Sequence, residues 1–320
     1  MARYQVLLTD YAWPELAIER DTLAEVDAEL IVAEATDAAT LAGQAANADA
    51  IMTNWARVTS EVLAAAVKCR IVARTGIGLD NIDVPFATER GIPVTNVPDY
   101  CIREVAEHAL ALILALGRKV AFYHQQTKSG HYAIAAGPPL RRLQGQTLGI
   151  VGFGNTGRQL AAMAVGLGFR VLTYARQPQQ VSPPVQPAPL NTLLEESDYV
   201  SLHLASTPET RRFVGREQLA RMKPTAYLIN TARGAVLDEE ALAEALAAGR
   251  LAGAALDVQE QEPPDLARPP YNDPRVVVTP HAAFYSLEAV TELRRRASRQ
   301  VADALAGKRP ANVVNGIRSP

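Results

Sequence analysis

Residues 147–176, TLGIVGFGNTGRQLAAMAVGLGFRVLTYAR, hold the pattern on which the fold turns. Thr147 to Val151 is a short run of the kind a buried parallel strand shows, and Phe169 to Tyr174 reads as the next strand. Between them Gly152-Phe153-Gly154-Asn155-Thr156-Gly157 matches G-x-G-x-x-G, and Arg158 to Leu167 carries Leu160, Met163, Ala164 and Leu167 at helical spacing. Glycine triplets occur in many turns. This one lies between a strand and a helix, inside a βαβ unit of the right length, and that context makes it a dinucleotide-binding signature. Gly152 permits the tight turn, Gly154 the approach of a pyrophosphate to the backbone, and Gly157 close helix packing. The helix N-terminus adds free N–H groups and a partial positive charge suited to phosphate. Glycines placed for packing alone are the duller alternative.

An acidic residue usually ends the second strand of such a unit and bonds the ribose 2′-hydroxyl. Here the strand ends Tyr174-Ala175-Arg176-Gln177, with alanine at 175 and no carboxylate. Arg176 can meet a 2′-phosphate instead, which favours NADP over NAD, or it is simply a solvated arginine.

The chain has 320 residues, enough for two domains with separate cores. It is 48% hydrophobic and 21% charged, as ordinary globular proteins are, and its net charge of −2 gives no electrostatic case for nucleic acid or an anionic membrane. Cys69 and Cys101 form no metal-ligand spacing, so no metal is expected and a cytoplasmic location is the simplest reading. Met1 to Tyr4 leads into a strand-like run that Asp10 ends, so no signal peptide is expected. The longest uncharged apolar run, Ala109 to Gly117, is too short to span a bilayer.

Ahead of the fingerprint, strands are predicted over Tyr4 to Thr9, Ala28 to Ala33, Asp49 to Thr53, Cys69 to Arg74 and Ile92 to Thr95. Helices alternate with them over Glu15 to Leu23, Ala38 to Ala48 and Ser60 to Val67, the last capped by Thr59 or Ser60. That alternation implies a parallel α/β sheet, and no phosphate loop accompanies it. Arg74 to Asp83 (RTGIGLDNID) puts two glycines at a strand's carboxyl end, where backbone N–H groups can hold a small carboxylate or merely make a tight turn. Ile102 to Lys119 is one long helix, apolar on more than one side. It lies buried between domains, between the subunits of a homodimer, or wholly within one chain.

After the fingerprint, Val181 to Pro189 reads as a proline-rich surface loop. Strands follow over Tyr199 to Leu204, Ala226 to Asn230, Gly253 to Asp257 and Arg275 to Thr279. Asp238 caps a helix from Glu239 to Ala248, and a charged amphipathic helix from Leu287 to Ala306 closes the chain. Three strand ends deliver Arg233, Asp257 and His281, and Glu262 follows the Asp257 strand. In a doubly wound sheet the ligand crevice lies outside those carboxyl ends. Each residue alone is as readily an ion pair, a turn cap or a hydrogen-bonded histidine. Together, beside a dinucleotide fingerprint, they are hard to explain by packing. His108, His124, His131 and His203 lack such neighbours in sequence and read as structural or surface residues.

The motifs Gly152–Gly157, Asn230-Thr231-Ala232-Arg233-Gly234, Ala255-Leu256-Asp257-Val258 with Glu262-Pro263, and Thr279-Pro280-His281-Ala282-Ala283 resemble those of the D-isomer-specific 2-hydroxyacid dehydrogenases over nearly the whole chain. The segments Arg74 to Val84 and His281 to Ser286 look closest to the branch with the C-terminal-binding-protein corepressors, which usually carries tryptophan where Phe284 stands. The resemblance implies an α/β protein of two doubly wound parallel-sheet domains. A Rossmann cofactor domain (residues 99–286) is inserted in a flavodoxin-like substrate domain (1–98 and 287–320), with crossings near Pro98 and Ser286, closure over substrate, and a homodimer through the 102–119 helix. It implies His281 as general acid/base, Glu262 as its partner and Arg233 as substrate anchor, with Ile77 and Gly78 on the substrate carboxylate. The cofactor set is Gly152, Gly154, Asn155, Thr156, Gly157, Arg176, Leu204, Thr231, Ala232 and Asp257.

In the implied reaction a hydride passes between NAD(P)H and C2 of a small 2-keto acid or D-2-hydroxy acid, glyoxylate and hydroxypyruvate being the first candidates. Arg233 offers a planar fork of donors, and the Glu262 carboxylate favours the imidazolium that must donate a proton. Trp55, Ile77, Tyr100 and Phe284 or Tyr285 would shape the side-chain pocket, and the aromatics suit a larger keto acid. A dinucleotide-responsive corepressor-like interaction protein is the alternative from another class. The complete Arg233, Glu262 and His281 set disfavours it, as does the lack of a long disordered tail. A serine-pathway 3-phosphoglycerate dehydrogenase is disfavoured because the chain stops at Pro320 without a regulatory domain.

Overall fold

The computed structural model describes residues 2–177 and 181–317; Met1 and Pro320, on which two of the expectations above rest, lie outside them. The chain divides into two compact units, Met1–Tyr100 with Ser286–Pro320, and Cys101–Tyr285. Both are α/β units built on all-parallel sheets. No helix among the described residues is long and apolar enough to cross a membrane.

The first unit alternates β1 (Tyr4–Leu8), α1 (Ala17–Ala24), β2 (Ala28–Val32), α2 (Ala38–Ala45), β3 (Ala50–Thr53), α3 (Ser60–Ala65), β4 (Val72–Arg74), α4 (Val84–Glu89) and β5 (Val94–Thr95). Its sheet runs β2-β1-β3-β4-β5, the flavodoxin-like order. All four residues of β3 are buried, because a parallel strand covered on both faces has no solvent side. Thr59 caps α3, its side chain accepting from Val62 N at 3.5 Å. Helix α4 was not expected from the sequence: Asp83 caps it (Oδ1 to Phe86 N, 3.1 Å) and Pro85 stands in its first turn, so a stretch that looks like a loop starts a helix.

The second unit opens with α5 (Ile102–Arg118) and α6 (Val120–Lys128). The helix expected over Ile102 to Lys119 is observed as α5, one residue shorter, and α6 beyond it was not expected from the sequence. Lys119 takes a left-handed φ of 55°, which breaks the helix without any glycine signal. Gly117 does not end it. A Cβ there would lie 2.5 Å from the Tyr199 hydroxyl, so this glycine serves close packing. Ala106, Ala109, Leu112, Ile113 and Leu116 of α5 are buried, whereas Val105, Leu110 and Leu114 are half-buried.

The fingerprint follows as β6 (Thr147–Val151), α7 (Asn155–Gly166) and β7 (Arg170–Tyr174). Helix α7 starts three residues earlier than the apolar spacing indicates, since the last residues of the fingerprint form its first turn. The expected 181–189 loop contains a two-residue edge strand, β8 (Gln186–Pro187), paired with β7. Then come α8 (Leu190–Glu196), β9 (Tyr199–Leu202), α9 (Arg216–Arg221), β10 (Tyr227–Asn230), α10 (Glu239–Ala247), β11 (Gly253–Leu256) and β12 (Val276–Val278). Asp238 caps α10 through Ala241 N at 3.0 Å. The sheet runs β12-β11-β10-β9-β6-β7-β8, so strand order reverses between β6 and β9 and opens a crevice at their carboxyl ends.

The chain returns to the first unit as α11 (Leu287–Leu305), capped by Ser286 through Ala289 N at 2.9 Å. Leu293, Ala297 and Val301 face the core, and so does Arg294, whose guanidinium makes two 2.7 Å hydrogen bonds to fully buried Glu19 of α1.

Candidate active site

The crevice of the second unit begins where β6 ends. A Cβ on Gly152 would lie 2.5 Å from the His203 carbonyl oxygen, and one on Gly157 would lie 2.3 Å from the Gly152 carbonyl oxygen, so neither tolerates a side chain. Gly154 has nothing within 4 Å of such a Cβ, which leaves the approach to the α7 N-terminus open. The cleft beside it has a volume of about 700 Å³ and is lined by Gly152, Phe153, Gly154, Arg158, Tyr174 to Gln177 and His203 to Ala205. Arg176 and Leu204 are among these residues. Arg158, which the sequence reading did not single out, also lines the cleft and lies over the Phe153 ring at 5.1 Å. Among the described residues no carboxylate lines it. An open glycine at a helix N-terminus and two guanidiniums suit a dinucleotide's phosphates. His203 shares a 2.9 Å hydrogen bond with Ser201, and burial pushes its imidazole down to about 4, so it is neutral there.

At the end of β10, Asn230 shapes the loop that bears Arg233. Its Oδ1 accepts from Ala232 N and its Nδ2 donates to the Arg233 carbonyl, both at 3.0 Å. The Thr231 hydroxyl is buried with no hydrogen-bond partner among the described residues, as expected of a group that a bound cofactor would satisfy. Arg233 is half-buried and its Nη1 donates to the Ala232 carbonyl at 2.7 Å. Gly234 brings this loop against the next one: a Cβ there would meet the backbone of Gln259 at 2.0 Å.

That next loop carries Glu262. Gln259 N donates to Glu262 Oε1 at 3.0 Å, and Glu262 Oε2 lies 2.7 Å from His281 Nδ1. Burial raises the Glu262 carboxyl, but the hydrogen bond and charge of His281, together with Gln259 N–H, outweigh it and hold the group below the usual carboxylate range. His281 itself sits at φ 52°, a left-handed position unusual for a non-glycine residue. Phe284 stands edge-on to its ring, with centroids 6.2 Å apart, and Tyr285 adjoins Phe284 at 6.5 Å.

Fold contacts thus bring Glu262 and His281 together and set the Arg233 loop against the Glu262 loop. Asp257 lies beneath the His281 turn, fully buried, its carboxylate engaged by Thr279, Ala282 and Ala283. His108, set aside in the sequence reading, lies 3.4 Å from that carboxylate, a contact across 149 positions that no local pattern announces. Ile77, Gly78, Trp55 and Tyr100 belong to the first unit, where Asn96 Nδ2 donates to the Ile77 carbonyl at 2.8 Å and Trp55 N donates to Asp10 Oδ2 at 2.7 Å.

Comparison with known proteins adds a second line. The D-isomer specific 2-hydroxyacid dehydrogenase, NAD binding domain, matches residues 110–283. A glyoxylate reductase of Korarchaeum cryptofilum is 44% identical over 264 residues, 81% of this chain and 80% of that protein. A hydroxypyruvate reductase of Thermotoga maritima is 40% identical over 235 residues, 73% of this chain and 76% of that protein. Among solved structures, the NADPH-dependent glyoxylate/hydroxypyruvate reductase of Sinorhizobium meliloti, in complex with NADP and malonate, superposes with a TM-score of 0.88 at 28% identity, covering 100% of this chain and 99% of that one. These relatives give no support to the corepressor-like branch. On its fold, its fingerprint and these matches, the chain belongs to the D-isomer-specific 2-hydroxyacid dehydrogenase family and is an NAD(P)-dependent oxidoreductase.

Proposed function

We propose that the protein reduces a small 2-keto acid of the glyoxylate or hydroxypyruvate type to the D-2-hydroxy acid, and that it prefers NADPH. The observation that carries this reading is the 2.7 Å contact between His281 Nδ1 and Glu262 Oε2 at the strand ends of a dinucleotide-binding sheet. The nicotinamide, when bound, supplies the hydride to C2. Negative charge then develops on the keto oxygen, and His281 donates a proton to it. With Nδ1 bonded to Glu262, Nε2 is the donating nitrogen. Arg233 anchors the substrate carboxylate or carbonyl with paired donors, and the backbone N–H groups of Ile77 and Gly78 bind the carboxylate. Gly152, Gly154, Asn155, Thr156 and Gly157 hold the pyrophosphate, with Leu204, Thr231, Ala232 and Asp257 along the rest of the cofactor, and Arg176 meets the 2′-phosphate. The first unit is the substrate domain and the second the cofactor domain. The half-buried Val105, Leu110 and Leu114 support a homodimer through α5. Sparse cysteine usage supports a cytoplasmic location.

The test is a panel of 2-keto acids with NADH and NADPH in parallel, followed by loss of reduced-cofactor absorbance. Glyoxylate or hydroxypyruvate should be reduced with NADPH, and His281→Ala should lower kcat by about 10²–10⁴-fold with a smaller change in KM. Arg176→Ala should raise KM for NADPH about tenfold or more and leave NADH unaffected. No oxidation of either cofactor with any acid would favour an interaction protein instead. Equal or better use of NADH would remove the role given to Arg176.

A further inference from the structure

The turn that carries His281 is gripped from below by side chains far apart in sequence. Asp257 follows β11 directly and has no exposed surface. Its Oδ1 accepts from Thr279 Oγ1 at 2.5 Å and from Ala282 N at 2.9 Å, and its Oδ2 accepts from Ala283 N at 2.9 Å. The Asp257 carbonyl accepts from His281 N at 2.8 Å. One residue therefore holds the chain on both sides of position 281, where the backbone is in a left-handed conformation unfavourable for a non-glycine residue. Such a conformation persists only where its surroundings over-determine it.

His108 completes the arrangement from α5. Its Nε2 lies 3.1 Å from Thr279 Oγ1 and 3.4 Å from Asp257 Oδ1, with a quarter of the side chain exposed. The donor assignment follows from counting protons. A threonine hydroxyl has one, and the 2.5 Å contact commits it to the Asp257 carboxylate. Thr279 can then only accept from His108, so the His108 proton is on Nε2. Asp257 is held ionised: burial raises its carboxyl, but the His108, Thr279, Ala283 and Ala282 donors bring it down to about 2.

We propose that His108 and Thr279, acting through Asp257, are positioning residues that hold the His281 turn in the geometry proton transfer requires. Neither is the acid. Both keep the acid's backbone strained and its ring against Glu262. The idea rests on the assignment of His281 as the proton donor, and α5, so far credited only with packing, becomes part of the machinery that sets turnover.

The test compares Thr279→Val, which keeps shape and deletes the hydroxyl, with His108→Leu and with His108→Gln, whose amide retains a donor. Steady-state kcat and KM for keto-acid reduction, cofactor affinity and thermal melting are measured for each, with His281→Ala alongside. Thr279→Val and His108→Leu should lower kcat by about ten- to a hundredfold, as displacement of a reacting group does. KM and cofactor affinity should change far less, and His108→Gln should recover most of the lost kcat. Should His108→Leu not fold, Thr279→Val against His108→Gln carries the comparison. Native kcat in Thr279→Val overturns the inference. So does a loss confined to cofactor affinity, which would leave Asp257 with the cofactor role alone, or His108→Gln no better than His108→Leu at equal melting temperature. Full turnover in His281→Ala would instead bring down the proposed reaction mechanism itself, a result the other variants cannot mimic.

Discussion

Gly234→Ala tests how the Arg233 loop and the Glu262 loop meet. The added Cβ would lie 2.0 Å from both the carbonyl carbon and oxygen of Gln259 and 2.4 Å from Glu260 N. These are backbone atoms and cannot swing aside. Ordinary contact begins at 3.4 Å, so one loop must retreat by about 1.4 Å. Gln259 N holds Glu262 Oε1 at 3.0 Å and Glu262 Oε2 holds His281 at 2.7 Å, so the shift passes straight to the proposed acid and its partner. On the other side it moves Arg233, the adjacent residue. A misplacement of about 1 Å costs on the order of 10²-fold in rate, and overpacking costs about 1–3 kcal/mol. For a domain of this size that is a fall in melting temperature of about 2–12 °C. The assay is kcat with saturating keto acid and reduced cofactor, together with a thermal melt. Gly43→Ala is the control: this exposed glycine of α2 has nothing within 4 Å of an added Cβ, and alanine there should stabilise by about 0.5–1 kcal/mol with unchanged turnover. A Gly234→Ala protein with native melting and kcat within about threefold of the native value would refute the loop-contact reasoning.

Glu262→Gln replaces a carboxylate hydrogen bond to His281 Nδ1 with a weaker neutral one, so kcat for keto-acid reduction should fall by about tenfold or more with a smaller change in KM; native kcat would dismiss the pairing. Arg294→Met leaves the fully buried Glu19 unpaired and should cost about 3–5 kcal/mol in denaturant unfolding, most of it recovered in the Glu19→Leu/Arg294→Met double variant; a double variant no better than the single one contradicts this. Asp257, lowered from 3.8 to about 2, contributes on the order of 2 kcal/mol above its unfolded value, and that contribution is lost as pH falls through about 2. Asp257→Asn should therefore flatten the acid limb of the stability curve, and an unchanged slope would show that the group does not titrate in this way.

Much of the architecture was legible because it is local. Residues 147–176 state a strand, a glycine turn and a helix through a short buried run, three glycines and helical spacing, and the two parallel sheets agree with the strand–helix alternation of the chain. The failures were local too. Lys119 breaks a helix in a left-handed conformation that glycine normally announces, and α4 begins at an Asp-Val-Pro segment that looks like a loop.

The sequence by itself determined the parallel α/β class, the phosphate-binding turn at Gly152–Gly157 and the delivery of Arg233, Asp257 and His281 to strand ends, because each depends on neighbours a few residues away. Only the tertiary structure decided what those residues touch: Glu262 on His281, Gly234 on Gln259, and His108 with Thr279 on Asp257. Such contacts join segments 19 to 171 positions apart, and the sheet, not the spacing, brings them within hydrogen-bond reach.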